Sequence, residues 1–252
     1  MLALITGASS GIGKEMARVL ADEDYDVALV ARNVQALNAL KQELEIAHPS
    51  IKVSVHQYDI SKAENCRKLH SEVRNVDVLI NNAGFGTFGN FTDIELEKEI
   101  SMIDTNITAV HMLTKLYLKD MQEKNAGHIM NVASIAGFLP GPLMATYYAT
   151  KNYVLSLSRA INHELKKAKS NVKISVLCPG PVNTNFNKVA GVSFGLKGLA
   201  SKYVALYAIE QMHKGKLIIL PGATVKLGRA LCEIVPDCIK EKVSYHMQKQ
   251  KM

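Results

Sequence analysis

The chain of 252 residues contains no tryptophan and only four cysteines, Cys66, Cys178, Cys232 and Cys238. The cysteines form no C-x-x-C pair and no spacing that suits zinc, which argues against a disulfide framework and against a metal site. We therefore expect reduced thiols in a cytoplasmic protein. No apolar run approaches the roughly 18 residues of a membrane span. The first predicted strand begins at Leu2, which leaves no room for a signal peptide.

The charge is unbalanced toward the positive, with a formal net charge of +7 and a pI near 9.1. A positive balance suits anionic ligands such as nucleotide phosphates. The basic residues are dispersed and no nucleic-acid-binding signature is present, so we expect no nucleic-acid partner. A solvated, lysine-rich surface is the simpler interpretation of the charge, and we prefer it.

Short apolar runs alternate with longer segments of helical spacing. Strands are predicted at Leu2–Ile5, Val27–Ala31, Ile51–Val55, Val76–Ile80, His128–Val132, Lys173–Leu177 and Leu217–Leu220. Helices are predicted at Ile12–Asp22, Val34–Ala47, Lys62–Val73, Leu96–Lys124, Tyr147–Lys169 and Leu199–His213. This alternation predicts an α/β fold: a doubly wound parallel sheet of about seven strands with helices on both faces. No linker divides the chain, so we expect a single domain over residues 1–252.

The last 28 residues, 225–252, fall outside the alternation and predict a C-terminal helical extension. Helical spacing is followed by Leu227, Ala230, Leu231, Ile234 and Val235. Pro236 should interrupt that helix. The extension could bind a membrane surface or a partner. We favour a helix packed on its own domain or on a second subunit, because only its last part is distinctly basic.

The first strand runs directly into a glycine-rich turn, Thr6–Gly13, and a helix follows. Such a turn lets the backbone approach a pyrophosphate, and the helix N-terminus offers free N–H groups to it. The spacing is G-x-x-x-G-x-G rather than G-x-G-x-x-G. The turn nevertheless predicts a dinucleotide site, and the residues expected to bind the cofactor are Gly7, Ser9, Ser10, Gly11, Ile12 and Gly13.

The end of the second strand bears on the choice of cofactor. Ala31 is followed by Arg32 and Asn33, so no carboxylate stands where one would bind a ribose 2′-hydroxyl. An arginine there can grip a 2′-phosphate through its planar fork. We therefore predict NADP(H) rather than NAD(H). The alternative is a surface arginine at a helix start.

Two further strand ends carry candidate cofactor contacts. Asp59 and Ile60 follow the third strand, where the carboxylate could accept a hydrogen bond from an adenine amino group or cap the next helix. Asn82, Ala83 and Gly84 follow the fourth strand. Small residues and a side-chain amide would let the chain pass close to the cofactor, although the same residues also favour an ordinary turn.

Tyr147 and Lys151 are four residues apart, and Ser134 precedes Tyr147 by thirteen residues. On a helix this pair lies on one face. A phenol has a free pKa near ~10, and a neighbouring cation lowers it. Tyr147 is therefore a candidate general acid/base. The alternative is an aromatic and a lysine on an amphipathic helix. Tyr148 is the rival phenol, and we assign it to a supporting or pocket position.

Together these residues resemble the classical short-chain dehydrogenases/reductases over roughly Leu2 to Leu220. The shared motifs are T-G-x-x-x-G-I-G at Thr6–Gly13, N-N-A-G at Asn81–Gly84, Asn106 in the long helix, Ser134, Tyr147-x-x-x-Lys151, and the Pro179–Thr184 run. The A-R-N ending of the second strand and the long extension resemble a DltE-like branch of NADP-dependent reductases. The resemblance implies a Rossmann-like fold and hydride transfer between nicotinamide and a carbonyl or secondary alcohol.

The resemblance also implies residue roles. Tyr147 would be the general acid in carbonyl reduction and the base in alcohol oxidation, and Ser134 would position the substrate oxygen. Lys151 would bind the nicotinamide ribose and lower the pKa of Tyr147, and Asn106 would hold a water in a proton relay. Nicotinamide and phosphate contacts would come from Pro179, Gly180, Val182 and Thr184. The long helices commonly form subunit interfaces, so a homodimer or homotetramer is expected.

The substrate is a small molecule that the sequence does not identify. Residues 182–199 predict an apolar lid that includes Phe186, Val192, Phe194 and Leu196. The opposite wall would come from Phe85, Ile135, Phe138 and Met144. An aldehyde, a ketone or an oxoacyl group on a hydrophobic body would suit such a pocket. Two other functions stay open: a non-catalytic NADP-binding sensor or scaffold, and a membrane-associated 3-oxoacyl reductase.

Overall fold

The computed structural model describes residues 1–186, 198–223, 225–227, 229 and 235–249. Its strands are β1 (Leu2–Thr6), β2 (Asp26–Ala31), β3 (Val53–Gln57), β4 (Val78–Asn81), β5 (His128–Val132), β6 (Lys173–Leu177), β7 (Val182–Asn183), β8 (Leu199–Ala200) and β9 (Ile218–Ile219). Its α-helices are α1 (Gly11–Asp22), α2 (Val34–Ala47), α3 (Ala63–Glu72), α4 (Leu96–Ile103), α5 (Ala109–Lys124), α6 (Ala145–Lys167), α7 (Ser201–His213) and α8 (Asp237–Lys249).

Seven strands form one parallel sheet in the order β3-β2-β1-β4-β5-β6-β9. Adjacent residues of a strand face opposite sides of this sheet. In β1, Ile5 packs into a cluster with α1, α2 and α7, whereas Leu4 packs into a cluster with α3 and α5. Both faces are therefore covered, and the predicted doubly wound α/β fold is confirmed.

Strand order reverses between β1 and β4, because the chain builds outward from β1 toward β3 and then from β4 toward β9. In open parallel sheets of this kind, a crevice forms at the carboxyl ends of the strands beside the reversal. The glycine-rich turn after β1, residues Asn82–Gly84 after β4 and Ser134 after β5 all lie at this edge. The topology thus gathers residues that are far apart in sequence.

Some element bounds differ from the sequence-based prediction. The third strand was expected at Ile51–Val55, but β3 is Val53–Gln57, because Ile51 N bonds His48 O in the turn before the strand. The helix expected at Leu96–Lys124 is divided into α4 and α5 by one π-helical turn, Asp104–Thr108. Leu199 and Ala200 form β8 beside β7 instead of beginning a helix.

The C-terminal extension is described in part. Residues 225–227 are helical, and α8 begins directly after Pro236, whose carbonyl accepts from Ile239 N. Ala230, Leu231 and Ile234 lie outside the described residues. Within the part of the chain that the structure describes, no helix combines the length and apolar character needed to cross a bilayer.

Candidate active site

The glycine-rich turn is packed against the loop that follows β4. Gly7 and Gly11 have φ angles of 66° and 57°, in the left-handed region that favours glycine. A Cβ on Gly7 would lie 2.8 Å from Asn82 Nδ2 and 2.9 Å from Ala83 Cα. A side chain at Gly7 would therefore separate the two loops.

Thr6 and Asn82 join the two loops. The Thr6 hydroxyl accepts from Asn82 N at 3.0 Å and from Ala83 N at 3.1 Å. The Asn82 side-chain amide donates to Thr6 O at 3.0 Å and to Gly7 O at 3.2 Å. Asn82, expected as a cofactor contact, therefore shapes the turn as well as lining the cavity below. The sequence pattern did not predict a functional role for Thr6. Its position at the end of β1, directly before the first glycine of the turn, could have indicated one.

The start of α1 offers a cradle for phosphate. The Ser10 side chain makes no cap, and the first backbone bond of the helix runs from Lys14 N to Ser10 O. The N–H groups at the start of the helix are thus available to an anion. A Cβ on Gly11 would lie 3.1 Å from Thr184 Cγ2, which puts Thr184 directly beside the turn. These residues fit the pyrophosphate of a dinucleotide.

Gly13 has a different role from the one predicted. It does not line the cavity; a Cβ there would overlap the Asn82 amide and lie 2.6 Å from Gly7 O. Gly13 therefore permits the packing of α1 against the turn and is not placed to contact a ligand.

The end of β2 and the end of β3 form the far side of the site. Arg32 is exposed and faces the cavity, while Asn33 caps α2 by accepting from Ala36 N at 3.0 Å. Asp59 accepts from the backbone and hydroxyl of Ser61, at 3.1 and 2.8 Å. The local turn role suggested for Asp59 is therefore present. Asp59 is also the one carboxylate among the described residues that line the cavity.

Tyr147 and Ser134 meet at the near side of the site. Tyr147 lies in the first turns of α6 and is 8 % exposed. Ser134 follows β5, and its hydroxyl accepts from Ala136 N at 3.2 Å. Burial raises the pKa of Tyr147 above its ordinary value, and the neighbouring Ser134 side chain offsets part of that shift. The phenol is therefore protonated at neutral pH.

Lys151 lies one helical turn after Tyr147 and is 5 % exposed. Its Nζ donates to Val132 O at 2.9 Å and lies 5.8 Å from the centroid of the Tyr147 ring. Burial lowers the pKa of Lys151 to about 8. In the chain alone, desolvation of the phenol is the largest influence on the Tyr147 pKa, so the lowering expected from Lys151 together with an oxidised nicotinamide stays a prediction.

Asn106 lies in the π-helical turn and is fully buried. Its amide donates to Phe85 O at 2.9 Å and to Thr150 Oγ1 at 3.1 Å, and its Oδ1 accepts from Phe85 N at 3.1 Å. A Cβ on Gly84 would lie 2.9 Å from Asn106 Oδ1 and 3.4 Å from Lys151 Nζ. Asn106 does not line the cavity. Its two hydrogen bonds with Phe85 instead hold the Phe85 backbone in place beside Lys151. Its predicted part in a water relay stays a prediction.

One cavity of about 790 Å³ connects these groups. Every residue expected to contact cofactor or substrate oxygen lines it, apart from Gly13 and Asn106: Gly7, Ser9, Ser10, Gly11, Ile12, Arg32, Asn33, Asp59, Ile60, Asn82, Ala83, Gly84, Ser134, Tyr147, Lys151, Pro179, Gly180, Val182 and Thr184. The size suits a dinucleotide-scale ligand with a small substrate. Among the described residues no group of three or more His, Cys, Asp or Glu is placed to hold a metal.

The substrate half of the cavity has apolar and aromatic walls. Of the residues expected there, Phe85, Ile135, Met144 and Phe186 line it. Phe138 does not; it packs in a cluster with Val154 and Leu155. Val192, Phe194 and Leu196 lie outside the described residues. The cavity also contains polar residues that the sequence did not single out, Tyr58, Lys98, Ser101 and Thr105.

A phosphate cradle beside a buried tyrosine, serine and lysine is the arrangement of a dinucleotide-dependent oxidoreductase. The family model described as short chain dehydrogenase matches residues 1–191. The chain belongs to this family, as the sequence resemblance implied, and is an oxidoreductase.

Individual relatives agree with this assignment. An uncharacterized oxidoreductase of Staphylococcus epidermidis is 32 % identical over 218 residues, which cover 83 % of this chain and 91 % of the relative. A short-chain dehydrogenase from Sphingobium yanoikuyae, solved with NADPH, is 28 % identical with a TM-score of 0.82, covering 93 % of this chain and 96 % of that one. A Burkholderia phymatum short-chain dehydrogenase/reductase, solved with NAD, is 25 % identical with a TM-score of 0.83, covering 91 % and 92 %.

Proposed function

We propose that this protein is an NADP(H)-dependent oxidoreductase that transfers a hydride between nicotinamide and a carbonyl or secondary alcohol. The observation that carries the proposal is the shared cavity. Tyr147 and Ser134 face the same space into which the glycine-rich turn and the start of α1 open. A proton donor and a dinucleotide cradle in one cavity are what carbonyl reduction requires.

The nicotinamide, when bound, supplies or accepts the hydride. Hydride transfer to a carbonyl carbon builds negative charge on the oxygen, which needs a donor at hydrogen-bond distance. Tyr147 Oη gives its proton to that oxygen, and the Ser134 hydroxyl donates to the same oxygen and orients it. Burial keeps the Tyr147 phenol protonated, so the resting site is prepared for reduction. In oxidation Tyr147 must first lose its proton, and the Lys151 ammonium stabilises the phenolate.

Preference for NADP(H) is supported by the charges at the end of β2. Arg32 faces the cavity, and the described lining residues include no carboxylate other than Asp59. A guanidinium favours a 2′-phosphate, whereas a carboxylate at this point would repel it. The two solved neighbours, one with NADPH and one with NAD, support a nicotinamide dinucleotide without choosing between the two forms.

The cofactor preference is tested by measuring kcat/KM for NADPH and NADH in wild type and in Arg32→Asp. We expect wild type to prefer NADPH and Arg32→Asp to lose most of that preference. Arg67→Asp is the matched control, because Arg67 is exposed on α3 and does not line the cavity. A wild type that prefers NADH would overturn the assignment.

Substrate screening separates this proposal from the alternatives. NADPH oxidation is followed with a panel of aldehydes, ketones and a 3-oxoacyl thioester. Turnover of any of them excludes a non-catalytic sensor, and selective turnover of the thioester favours the acyl reductase. Two further parts of the proposal are a cytoplasmic location, supported by the buried free thiols Cys66 and Cys178, and a homodimer or homotetramer. Sedimentation velocity measures the oligomeric state.

A further inference from the structure

Among the described side chains of the C-terminal helix α8, the two buried ones are polar, and apolar ones are exposed. Ser244 and Gln248 are 5 % and 1 % exposed, whereas Ile239 and Val243 are 48 % and 52 % exposed. A surface helix normally docks through its apolar face. Burial of polar groups stabilises a contact only when they find partners. The partners of the buried Ser244 and Gln248 therefore contribute to the docking of α8.

Their partner is Tyr148. Gln248 Nε2 donates to the Tyr148 hydroxyl, and the nearby Ser244 side chain offsets part of the rise that burial gives the pKa of this phenol. Tyr148 lines the substrate half of the cavity, and its ring lies edge-on to Tyr147 with centroids 6.1 Å apart. A Cβ on Gly141 would overlap the Tyr148 ring. The Tyr148 ring thus packs against the Gly141 backbone on one side, and the Tyr148 hydroxyl is bound by α8.

The extension approaches the same cavity at a second place. A Cβ on Gly180, a cavity-lining residue, would lie 2.9 Å from Val225 Cγ2. The Arg229 guanidinium stands 5.1 Å from the centroid of the Phe138 ring, and Val225 packs in the same cluster as Phe138. Two separate segments of the extension therefore support the walls around Tyr147.

We propose that α8 sets substrate selectivity by fixing Tyr148. Tyr148 is the specificity-determining residue, and Gln248 and Ser244 are positioning residues that act through it. With its hydroxyl held, the Tyr148 ring limits the width of the pocket beside Tyr147, which favours aldehydes and ketones with one bulky apolar substituent over those with two. This inference rests on the proposed carbonyl reduction.

The test compares kcat/KM for benzaldehyde with kcat/KM for benzophenone, each with NADPH. Tyr148→Phe and Gln248→Met each remove the hydrogen bond while keeping side-chain size. We expect each variant to shift the ratio toward benzophenone by about threefold or more, with the NADPH affinity unchanged. The double variant should show no further shift, because both changes remove one contact.

Matched controls come from the outward face of the same helix. Tyr245→Phe removes a hydroxyl from a tyrosine that is 46 % exposed, and Val243→Ser changes an exposed apolar position. Both should leave the ratio at the wild-type value. Unchanged ratios in Tyr148→Phe and Gln248→Met, or fully additive shifts in the double variant, would refute the inference.

Hydrogen exchange distinguishes this inference from the proposed function. Amide exchange across α8 should be faster in Tyr148→Phe than in Tyr245→Phe, since the docking contact is lost only in the former. If wild type reduces no carbonyl compound, the proposed function is wrong. Equal exchange rates across α8 in the two variants would refute the contact between α8 and Tyr148, whatever the turnover. Faster exchange in Tyr148→Phe supports the contact independently of turnover.

Discussion

Replacement of Thr6 by valine tests why the glycine-rich turn holds its shape. Valine keeps the volume of threonine and removes only the hydroxyl, which is buried and accepts from Asn82 N and Ala83 N. Asn82 N also bonds Ile80 O at 3.1 Å, so it keeps a partner. Ala83 N has the Thr6 hydroxyl as its acceptor, and this N–H is left unsatisfied in the variant.

The magnitude follows from that single orphaned donor. An unsatisfied buried donor costs about 1–3 kcal/mol, and Ala83 is only partly buried and lines the cavity. We therefore expect Thr6→Val to lower the free energy of unfolding by about 1 kcal/mol, at the lower end of that range, and to weaken NADPH binding, because the turn loses its support.

Urea unfolding measures the free energy, and fluorescence titration measures NADPH affinity. Thr6→Ser keeps the hydroxyl and should retain most of both quantities. Thr92→Val is the matched control, since Thr92 is exposed and, among the described residues, its hydroxyl bonds its neighbour Asp93; it should stay within about 0.5 kcal/mol of wild type. Equal stability of Thr6→Val and wild type would refute this account of the turn.

Two predictions concern pH. Burial lowers the pKa of Lys151 to about 8, so this lysine loses its charge as pH rises through that value. In carbonyl reduction Tyr147 starts protonated and the Lys151 ammonium stabilises the phenolate that it becomes, so kcat for reduction, measured against pH, should fall above that value; a reduction rate that stays constant to about pH 10 would contradict the role of Lys151. Burial also lowers the pKa of His128 to about 4, with smaller contributions from Lys173 and His213. Between about pH 6.5, the ordinary pKa of histidine, and about pH 4, the pKa of His128 in the native chain, the unfolded chain binds more protons than the native one. Stability is complete above this window and falls as pH decreases through it, by about 2 kcal/mol from pH 7 to pH 5. Urea unfolding should show this loss in wild type and not in His128→Gln, and an equal loss in both would show that His128 is not its source.

The sequence predicted the parallel sheet well, because buried strands and amphipathic helices have different periodicities. It did not predict the division of the long helix at Asp104–Thr108, since a π-helical turn interrupts the backbone bonds without breaking the apolar pattern. Ser134, Tyr147 and Lys151 line one cavity because the start of α6 lies beside the carboxyl end of β5, and their catalytic roles stay a prediction. The raised pKa of Tyr147 was not foreseen, because burial of a phenol depends on packing from distant segments.

The extension shows a second limit of the sequence. The segment after Pro236 was predicted only to be partly apolar and basic, and in it Ile239 and Val243 are exposed whereas Ser244 and Gln248 are buried. The partner of those polar groups is Tyr148, a hundred residues earlier in the chain. Local sequence patterns cannot predict a contact between residues a hundred positions apart. The contact between the extension and the substrate half of the cavity is therefore seen only in the three-dimensional structure.

The most direct test of the central claim is kcat of Tyr147→Phe for NADPH-dependent reduction of any carbonyl compound that wild type turns over. Phenylalanine keeps the ring and removes only the proton donor. We expect kcat to fall by roughly 10²–10⁴-fold, with NADPH affinity within about twofold of wild type and Tyr203→Phe, on the exposed side of α7, fully active. Turnover of Tyr147→Phe close to that of wild type would contradict the account.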